Sequence, residues 1–142
     1  MTTTATITVA VKSWTETPVD GLPSVVRAEF TAEYAGDAQG SSTCWLLIAY
    51  TGGDAEKPES LVGQYTGYEQ FTGTLAGRTG SFVLAARGAH VDAVARTDVR
   101  VVADSGTGEL AGLRGAGSYA AGSMEYTLTL EFDMEFDSAP AE

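Results

Sequence analysis

Residues 73–82 read Gly-Thr-Leu-Ala-Gly-Arg-Thr-Gly-Ser-Phe, and the pattern returns, slightly longer, at residues 108–119 as Gly-Glu-Leu-Ala-Gly-Leu-Arg-Gly-Ala-Gly-Ser-Tyr. Each copy is typical of a strand end, a glycine turn and a strand start, because glycine adopts positive φ angles at little steric cost. Two such turns in one chain of alternating strands predict a closed, all-β sheet.

Apolar and polar side chains alternate in almost every segment around the two motifs. This period of two is typical of strands with one buried and one solvated face. Glycine-rich turns separate about eight strand candidates, which favours a single β-barrel over residues 1–136, because a barrel leaves no exposed sheet edge. The tail, residues 137–142, is predicted to be disordered. The candidates are Thr4–Glu16, Val25–Tyr34, Thr43–Tyr50, Leu61–Thr72, Gly80–Gly88, Ala93–Ala103, Leu113–Tyr119 and Glu125–Phe136.

Charge and composition exclude several function classes. The chain has 142 residues, enough for one domain, and 19 acidic against 8 basic residues give a net charge of -11. Such a balance repels nucleic-acid phosphates and anionic membranes, so neither is expected as a partner. The start lacks a signal-peptide pattern, the single Cys44 forms no internal disulfide, and no apolar stretch is long enough to cross a bilayer. These features predict a cytoplasmic protein.

The strand Cys44–Tyr50 differs from the others because both of its faces are apolar. An outer face that meets water does not normally have this composition. Either another part of the chain covers it or a second subunit does, and the shortness of the chain favours the second subunit. The sequence therefore predicts a homodimer formed through Cys44–Tyr50.

Metal and cofactor sites are not indicated. One histidine, His90, and one cysteine cannot form a zinc site without suitably spaced carboxylates. His90 is expected at a solvated hairpin tip, and Cys44 is expected to be a small buried apolar residue rather than a nucleophile. No cofactor is expected.

Glu69 is the most interesting ionisable residue. It shares the more apolar, odd-numbered face of its strand with Tyr65 and Phe71. A carboxyl on an inward face has a raised pKa, which suits a general acid or base, and Tyr65 could donate a hydrogen bond beside it. The alternative is that a twist or bulge of the strand turns Glu69 to solvent. Glu69 and Tyr65 are the predicted catalytic residues.

Aromatic residues on several strands could shape a substrate pocket inside the barrel. A hydrophobic core without a cavity would use the same residues, so both interpretations stay open. The predicted substrate-binding residues are Trp14, Trp45, Tyr50, Phe71, Phe82 and Tyr126.

Residues 73–84 and 101–115, with Gly67-Tyr68-Glu69 before them, closely resemble a bacterial family of unknown function, common in actinomycetes, with an allene-oxide-cyclase-like barrel. The resemblance covers nearly the whole chain. It implies an eight-stranded antiparallel barrel of lipocalin-like shape that often forms dimers, and it implies that Glu69 matches a carboxylate usual in the family. This sequence has Ala85 and Ala86 where members often have Gln-His, and Val99 replaces a frequent tryptophan. A roomier and less polar lumen is expected.

Three functions fit this sequence. The first is a cofactor-free cyclase or isomerase that acts on an apolar, polyketide-like natural-product intermediate held in the lumen. The second is a non-catalytic carrier or sensor of a hydrophobic metabolite, which needs the pocket but not Glu69. The third is an interaction protein with a barrel filled by side chains.

Overall fold

Eight antiparallel strands follow one another in chain order around a closed barrel, and β8 pairs with β1. This computed structural model describes residues 2–134, so the predicted tail at 137–142 lies outside the described residues. The predicted all-β barrel is confirmed, although several strands are longer than predicted. The strands are β1 (Thr3–Val19), β2 (Leu22–Gly36), β3 (Ala38–Asp54), β4 (Lys57–Leu75), β5 (Arg78–Val91), β6 (Val94–Val101), β7 (Arg114–Ala121) and β8 (Glu125–Asp133).

Alternation along each strand produces the core. In β8, Tyr126, Leu128 and Leu130 are buried, whereas Thr127 and Thr129 between them are exposed. The inward side chains of all eight strands form one apolar cluster along the barrel axis. The outward positions are mostly polar, as expected for a sheet with one solvated face.

A bulge in β1 changes which of its residues face inward. Ile7 and Val9 are fully buried, and the register against β2 then shifts between Val11 and Ser13. An extra residue in one strand reverses the alternation beyond it. Trp14 and Glu16 consequently face the lumen at the far end of the strand.

The two ends of the barrel are closed differently. At one end, the long connection between β6 and β7 contains a short 3₁₀-helix, η1 (Gly108–Leu110), which places Leu110 and Leu113 in the core at 0% and 1% exposure. The other end carries only tight connections, at residues 19–22, 54–57, 91–94 and 121–125. We call these the closed end and the open end.

The two glycine motifs meet at the closed end but have different structures. In the first, Ala76 and Gly77 have φ angles of 52° and 82° and form the predicted two-residue turn between β4 and β5. The prediction of a second strand–turn–strand unit is wrong, because residues 108–110 form η1 instead. Glu109 Oε1 accepts a hydrogen bond of 2.8 Å from the Thr79 amide, so η1 is fastened to the start of β5.

No helix among residues 2–134 is long and apolar enough to span a membrane.

Candidate functional site

A cavity of about 440 Å³ occupies the open end of the barrel. Small side chains at Ala95 and Ala121, which are partners across β6 and β7, leave room for it. Its wall is mostly apolar and aromatic. The lining residues are Val11, Trp14, Glu16, Phe30, Leu46, Ile48, Tyr50, Pro58, Leu61, Tyr65, His90, Ala93, Ala95, Tyr119, Ala121, Gly122, Ser123, Met124 and Tyr126.

The mouth of the cavity is built around Glu16. Its Oε2 accepts a hydrogen bond of 2.9 Å from Trp14 Nε1, and the Tyr50 hydroxyl lies 3.2 Å from Oε1 and 3.1 Å from Oε2. The Trp14 ring stacks on Phe30 with 5.3 Å between ring centroids. Partial burial and the Glu16 carboxylate raise the pKa of Tyr50 to about 12, so its hydroxyl remains a donor. The carboxylate is thus fixed at the mouth by two neutral donors.

The floor of the cavity is a layer of hydroxyl groups. The Tyr65 hydroxyl lies 2.5 Å from Thr97 Oγ1, and Tyr119 interacts with the same threonine. The Tyr119 and Tyr126 rings stack 4.1 Å apart. Burial raises the pKa of Tyr65, Tyr119 and Tyr126, so all three phenols are neutral at physiological pH and can hydrogen-bond a ligand.

Glu69 lies beneath this floor, two inward positions further along β4 than Tyr65. Its side chain is only 2% exposed, and its Oε2 accepts hydrogen bonds of 2.8 Å from the Tyr34 hydroxyl and 2.6 Å from Ser42 Oγ. Burial raises the pKa of the Glu69 carboxyl, and the two hydrogen bonds oppose that shift. Glu69 does not line the cavity.

The structure brings some of the residues predicted from sequence together and separates others. Trp14, Tyr50, Tyr65 and Tyr126 line the cavity. Glu69 faces inward, as the alternation along its strand predicts, but it lies beneath the cavity floor rather than in the cavity wall.

Three of the predicted substrate-binding residues lie away from the cavity. Phe71 and Phe82 are fully buried partners below the floor, with ring centroids 5.0 Å apart. The structure does not bring Trp45 to the lumen. Its side chain is 48% exposed on the outer wall, because the inward positions of β3 are the even ones.

Glu16, Tyr119 and His90 are among the lining residues that sequence reasoning missed. The aromatic Trp14, out of phase with Ile7, Val9 and Val11, was the signal for the bulge that turns Glu16 inward. The prediction of His90 at a solvated hairpin tip is wrong, since His90 lies within β5, one residue before its end, and its Nδ1 donates to the Leu61 carbonyl at 2.8 Å. The tip is formed by Asp92 and Ala93.

Two of the family departures noted in the sequence are neighbours in the barrel. Ala86 and Val99 are cross-strand partners on the inner wall and are both buried. Neither lines the cavity. The room in the lumen therefore comes from the smaller side chains nearer the open end, such as Ala95 and Ala121.

Cys44 is buried on the inner wall, as predicted, and pairs with Glu69 across β3 and β4. Burial raises the pKa of its thiol, so it is unreactive at physiological pH. Within residues 2–134, no group of three or more histidine, cysteine, aspartate or glutamate side chains is arranged to hold a metal ion.

Comparisons with known proteins place this geometry in a family. A family model described as a protein of unknown function, DUF3224, matches residues 5–132. The chain is similar to a solved structure from Shewanella oneidensis MR-1, described as a protein with unknown function from the DUF3224 family. That similarity has 28% sequence identity and a TM-score of 0.76, and covers 94% of this chain and 98% of the other. No curated protein sequence matches significantly.

Proposed function

We propose that this chain, which belongs to the DUF3224 family of proteins of unknown function, binds an apolar small molecule in the cavity at the open end of its barrel. The observation that carries this proposal is the uneven filling of the lumen. Large side chains fill the part around Phe71 and Phe82, whereas about 440 Å³ is left at the open end. An eight-stranded barrel is wide enough either to be filled or to hold one small ligand, and this one combines both.

The cavity has the composition of a ligand site. Ligand pockets are mostly apolar, measure roughly 300–1,000 Å³, and contain a few placed polar groups. Here the polar groups are Glu16 at the mouth and the hydroxyls of Tyr65 and Tyr119 on the floor. A ligand of about 20 non-hydrogen atoms at roughly 0.3 kcal/mol per atom would bind with a Kd of tens of micromolar.

The test uses a neutral, apolar fluorescent probe, N-phenyl-1-naphthylamine, titrated into the purified protein. Ala121 lines the cavity and Ala120, its neighbour in β7, faces solvent, so Ala121→Phe and Ala120→Phe form a matched pair. We expect Ala121→Phe to weaken probe binding by at least about tenfold and Ala120→Phe to leave it within about twofold. Equal binding of the probe by both variants would mean that the binding site is not in the lumen.

A second candidate function is a cofactor-free cyclase or isomerase of a natural-product intermediate. It is favoured by the hydroxyl layer of Tyr65, Thr97 and Tyr119 at the cavity floor, which could polarise a ligand carbonyl. The resemblance to allene-oxide-cyclase-like barrels points the same way. In this scheme Tyr65 contacts the ligand, and Glu69 acts as a positioning residue beneath the floor through Tyr34 and Ser42.

Recovery of the natural ligand separates carrier from enzyme. Protein purified from its own host is examined by native mass spectrometry, and the ligand is extracted and incubated with fresh protein. A carrier returns the molecule unchanged, whereas a cyclase converts it to an isomer of the same mass, because ring closure forms one σ bond at the expense of one π bond, with no atom gained or lost. Tyr65→Phe should slow such a conversion by about 10²-fold or more. An unchanged rate would remove Tyr65 from the mechanism.

A cytoplasmic homodimer is also part of this proposal. On the outer wall, Trp45, Leu47 and Tyr68 form a contiguous apolar patch with 48%, 51% and 59% exposure, and no part of residues 2–134 covers it. Arg27 pairs with Leu47 and Glu29 with Trp45, so a two-fold axis through the patch would set opposite charges of two copies against each other. Leu47→Glu should convert a dimer to a monomer in light-scattering measurements, whereas Thr129→Glu, on the outer wall of β8 away from the patch, is the control and should leave the dimer intact. A wild-type monomer at micromolar concentrations would contradict the dimer.

A further inference from the structure

Among residues 2–134, Glu16 and His90 are the lining side chains of the cavity that belong to acidic or basic residues. Glu16 is its one carboxylate, and no lysine or arginine among residues 2–134 lines it. Trp14 and Tyr50 hold the Glu16 carboxylate at the mouth by neutral hydrogen bonds, which orient it without neutralising its charge. An anionic ligand would find no counter-charge in this site, whereas a cationic ligand would find one at the entrance.

The rest of the wall is rich in aromatic rings. Leaving His90 aside, six of the described lining residues are aromatic. Four of them form two stacked pairs, and the other two are tyrosines. Aromatic faces carry negative charge density and attract organic cations, and several rings around one space are the recognised way to bind quaternary ammonium groups. These rings are Trp14, Phe30, Tyr50, Tyr65, Tyr119 and Tyr126.

His90 is the one lining residue whose charge could oppose a cation. Its Nδ1 donates to the Leu61 carbonyl, which fixes the neutral tautomer and leaves Nε2 without its proton in that form. In that tautomer, Nε2 is a hydrogen-bond acceptor.

The connections at the open end add a long-range contribution. Asp20, Asp54, Glu56 and Asp92 lie in or directly beside these turns, with Lys57 as the nearby base. A cleft rimmed by one sign of charge concentrates ligands of the opposite sign and speeds their entry. Both the rim and the wall thus favour a positive ligand.

We propose that the ligand of this cavity is an organic cation, an amine or quaternary ammonium group attached to an apolar body. The proposal rests on the proposed function, that the cavity binds a small molecule, and it adds the charge class. The apolar body lies against the tyrosine floor, and the cationic group lies among the aromatic rings of the mouth, near Glu16.

The test compares three probes with the same decyl chain: decyltrimethylammonium, 1-decanol and decanoate. Each displaces N-phenyl-1-naphthylamine from the wild-type protein, below the concentration at which the probes form micelles. We expect the ammonium to bind about tenfold tighter than the alcohol, as several cation–π contacts allow, and decanoate to bind at least about tenfold weaker than the alcohol.

Three variants separate the site from the general negative charge of the protein. Glu16→Gln should weaken the ammonium about three- to fivefold and leave the alcohol unchanged. Glu29→Gln removes the same charge from the outer wall and should change neither probe. Ala121→Phe, titrated directly by calorimetry because it no longer holds the fluorescent reporter, should exclude all three.

Each outcome has one meaning. Ammonium binding that depends on Glu16 and is lost in Ala121→Phe supports the cationic ligand. Displacement by the alcohol or decanoate as strong as that by the ammonium overturns this inference, while the cavity remains a binding site. Ammonium binding that Glu29→Gln weakens as much as Glu16→Gln also overturns it. Failure of every probe, with no displacement and no N-phenyl-1-naphthylamine binding, overturns the proposed function itself.

Discussion

The closed half and the open half of the barrel use the same eight strands for different purposes. In the closed half, the lumen is filled by Phe71, Phe82 and the hydrogen-bonded group of Glu69, Tyr34 and Ser42. Leu110 from η1 closes its end. In the open half, Ala95 on β6 and Ala121 on β7 leave a space that is lined by aromatic rings. The difference shows how one barrel can separate stability from binding along its axis.

Side-chain size along a single strand illustrates this taper. On β6 the inward positions run from Ala95 at the open end through Thr97 to Val99 and Val101 near the closed end. Interiors are normally packed to the density of organic crystals, so a graded decrease in side-chain size leaves the unfilled volume at one end. The closed half is expected to supply most of the folding free energy.

The largest expected effect tests that expectation directly. Leu110→Ala removes a fully buried side chain from the cap of the closed half and should lower the free energy of unfolding by about 3 kcal/mol. Met124→Ala at the open end, where the side chain is 52% exposed, should cost less than about 0.5 kcal/mol. Urea unfolding of both variants measures the difference. Equal losses would mean that η1 is not an integral part of the core.

A smaller effect is expected at the boundary between the halves. Thr97 is 2% exposed, and its hydroxyl serves both Tyr65 and Tyr119. Thr97→Val keeps the shape but leaves both phenols without this partner, so we expect a loss of about 1–2 kcal/mol. Thr127→Val on the exposed face of β8 is the control and should fall within about 0.5 kcal/mol of wild type. An unchanged unfolding midpoint for Thr97→Val would show that water replaces the hydroxyl.

The regular strands of the barrel wall are the part of the molecule that sequence predicts best. Strict alternation identifies the strands, and in β4 it places Glu69 on the inner wall. These predictions succeed because burial of one face of a regular strand requires every second side chain along it to face inward.

Irregular structure was harder to predict, both in the open half and at the cap of the closed half. One extra residue near Lys12 reverses the alternation in β1, and Glu16 reaches the lumen only for that reason. The second glycine motif likewise resembles the first in sequence, yet the spacing of Leu110 and Leu113 suits a helical turn that buries both. Bulges and caps are decided by tertiary contacts that a local pattern does not contain.

The buried carboxyl of the closed half should make stability depend on pH. Because burial raises the pKa of Glu69 in the folded state, the folded protein holds a proton that the unfolded chain releases above its ordinary value of 4.5. The contribution of Glu69 to the free energy of unfolding is therefore most favourable below the unfolded-state pKa. It is lost as the pH rises through the higher pKa of the folded state. Glu69→Gln stays neutral throughout.

We expect the Tm of Glu69→Gln relative to wild type to increase from about pH 4.5 upward, by a few degrees at most. Glu131→Gln, on the outer wall of β8, should show no such trend. Thermal scans of the three proteins across this range measure the effect. A constant difference between Glu69→Gln and wild type would mean that the pKa of Glu69 is the same in both states, so that its hydrogen bonds to Tyr34 and Ser42 balance its burial.

The smallest expected effect compares the turns at the two ends. Ala76 at the closed end and Ala93 at the open end have φ angles of 52° and 65°, a region that costs alanine roughly 1 kcal/mol relative to glycine. Glycine also makes the unfolded chain more flexible, so each substitution should stabilise its turn by only about 0.5 kcal/mol.

The two glycine variants should differ in their hydrogen-exchange patterns. If the open half opens locally, Ala93→Gly will slow exchange at amides of its own hairpin, β5–β6, beyond the global change, whereas Ala76→Gly will slow exchange only through global unfolding. Identical exchange patterns would mean that both halves open as one cooperative unit, and the cavity would then be as rigid as the core beneath it.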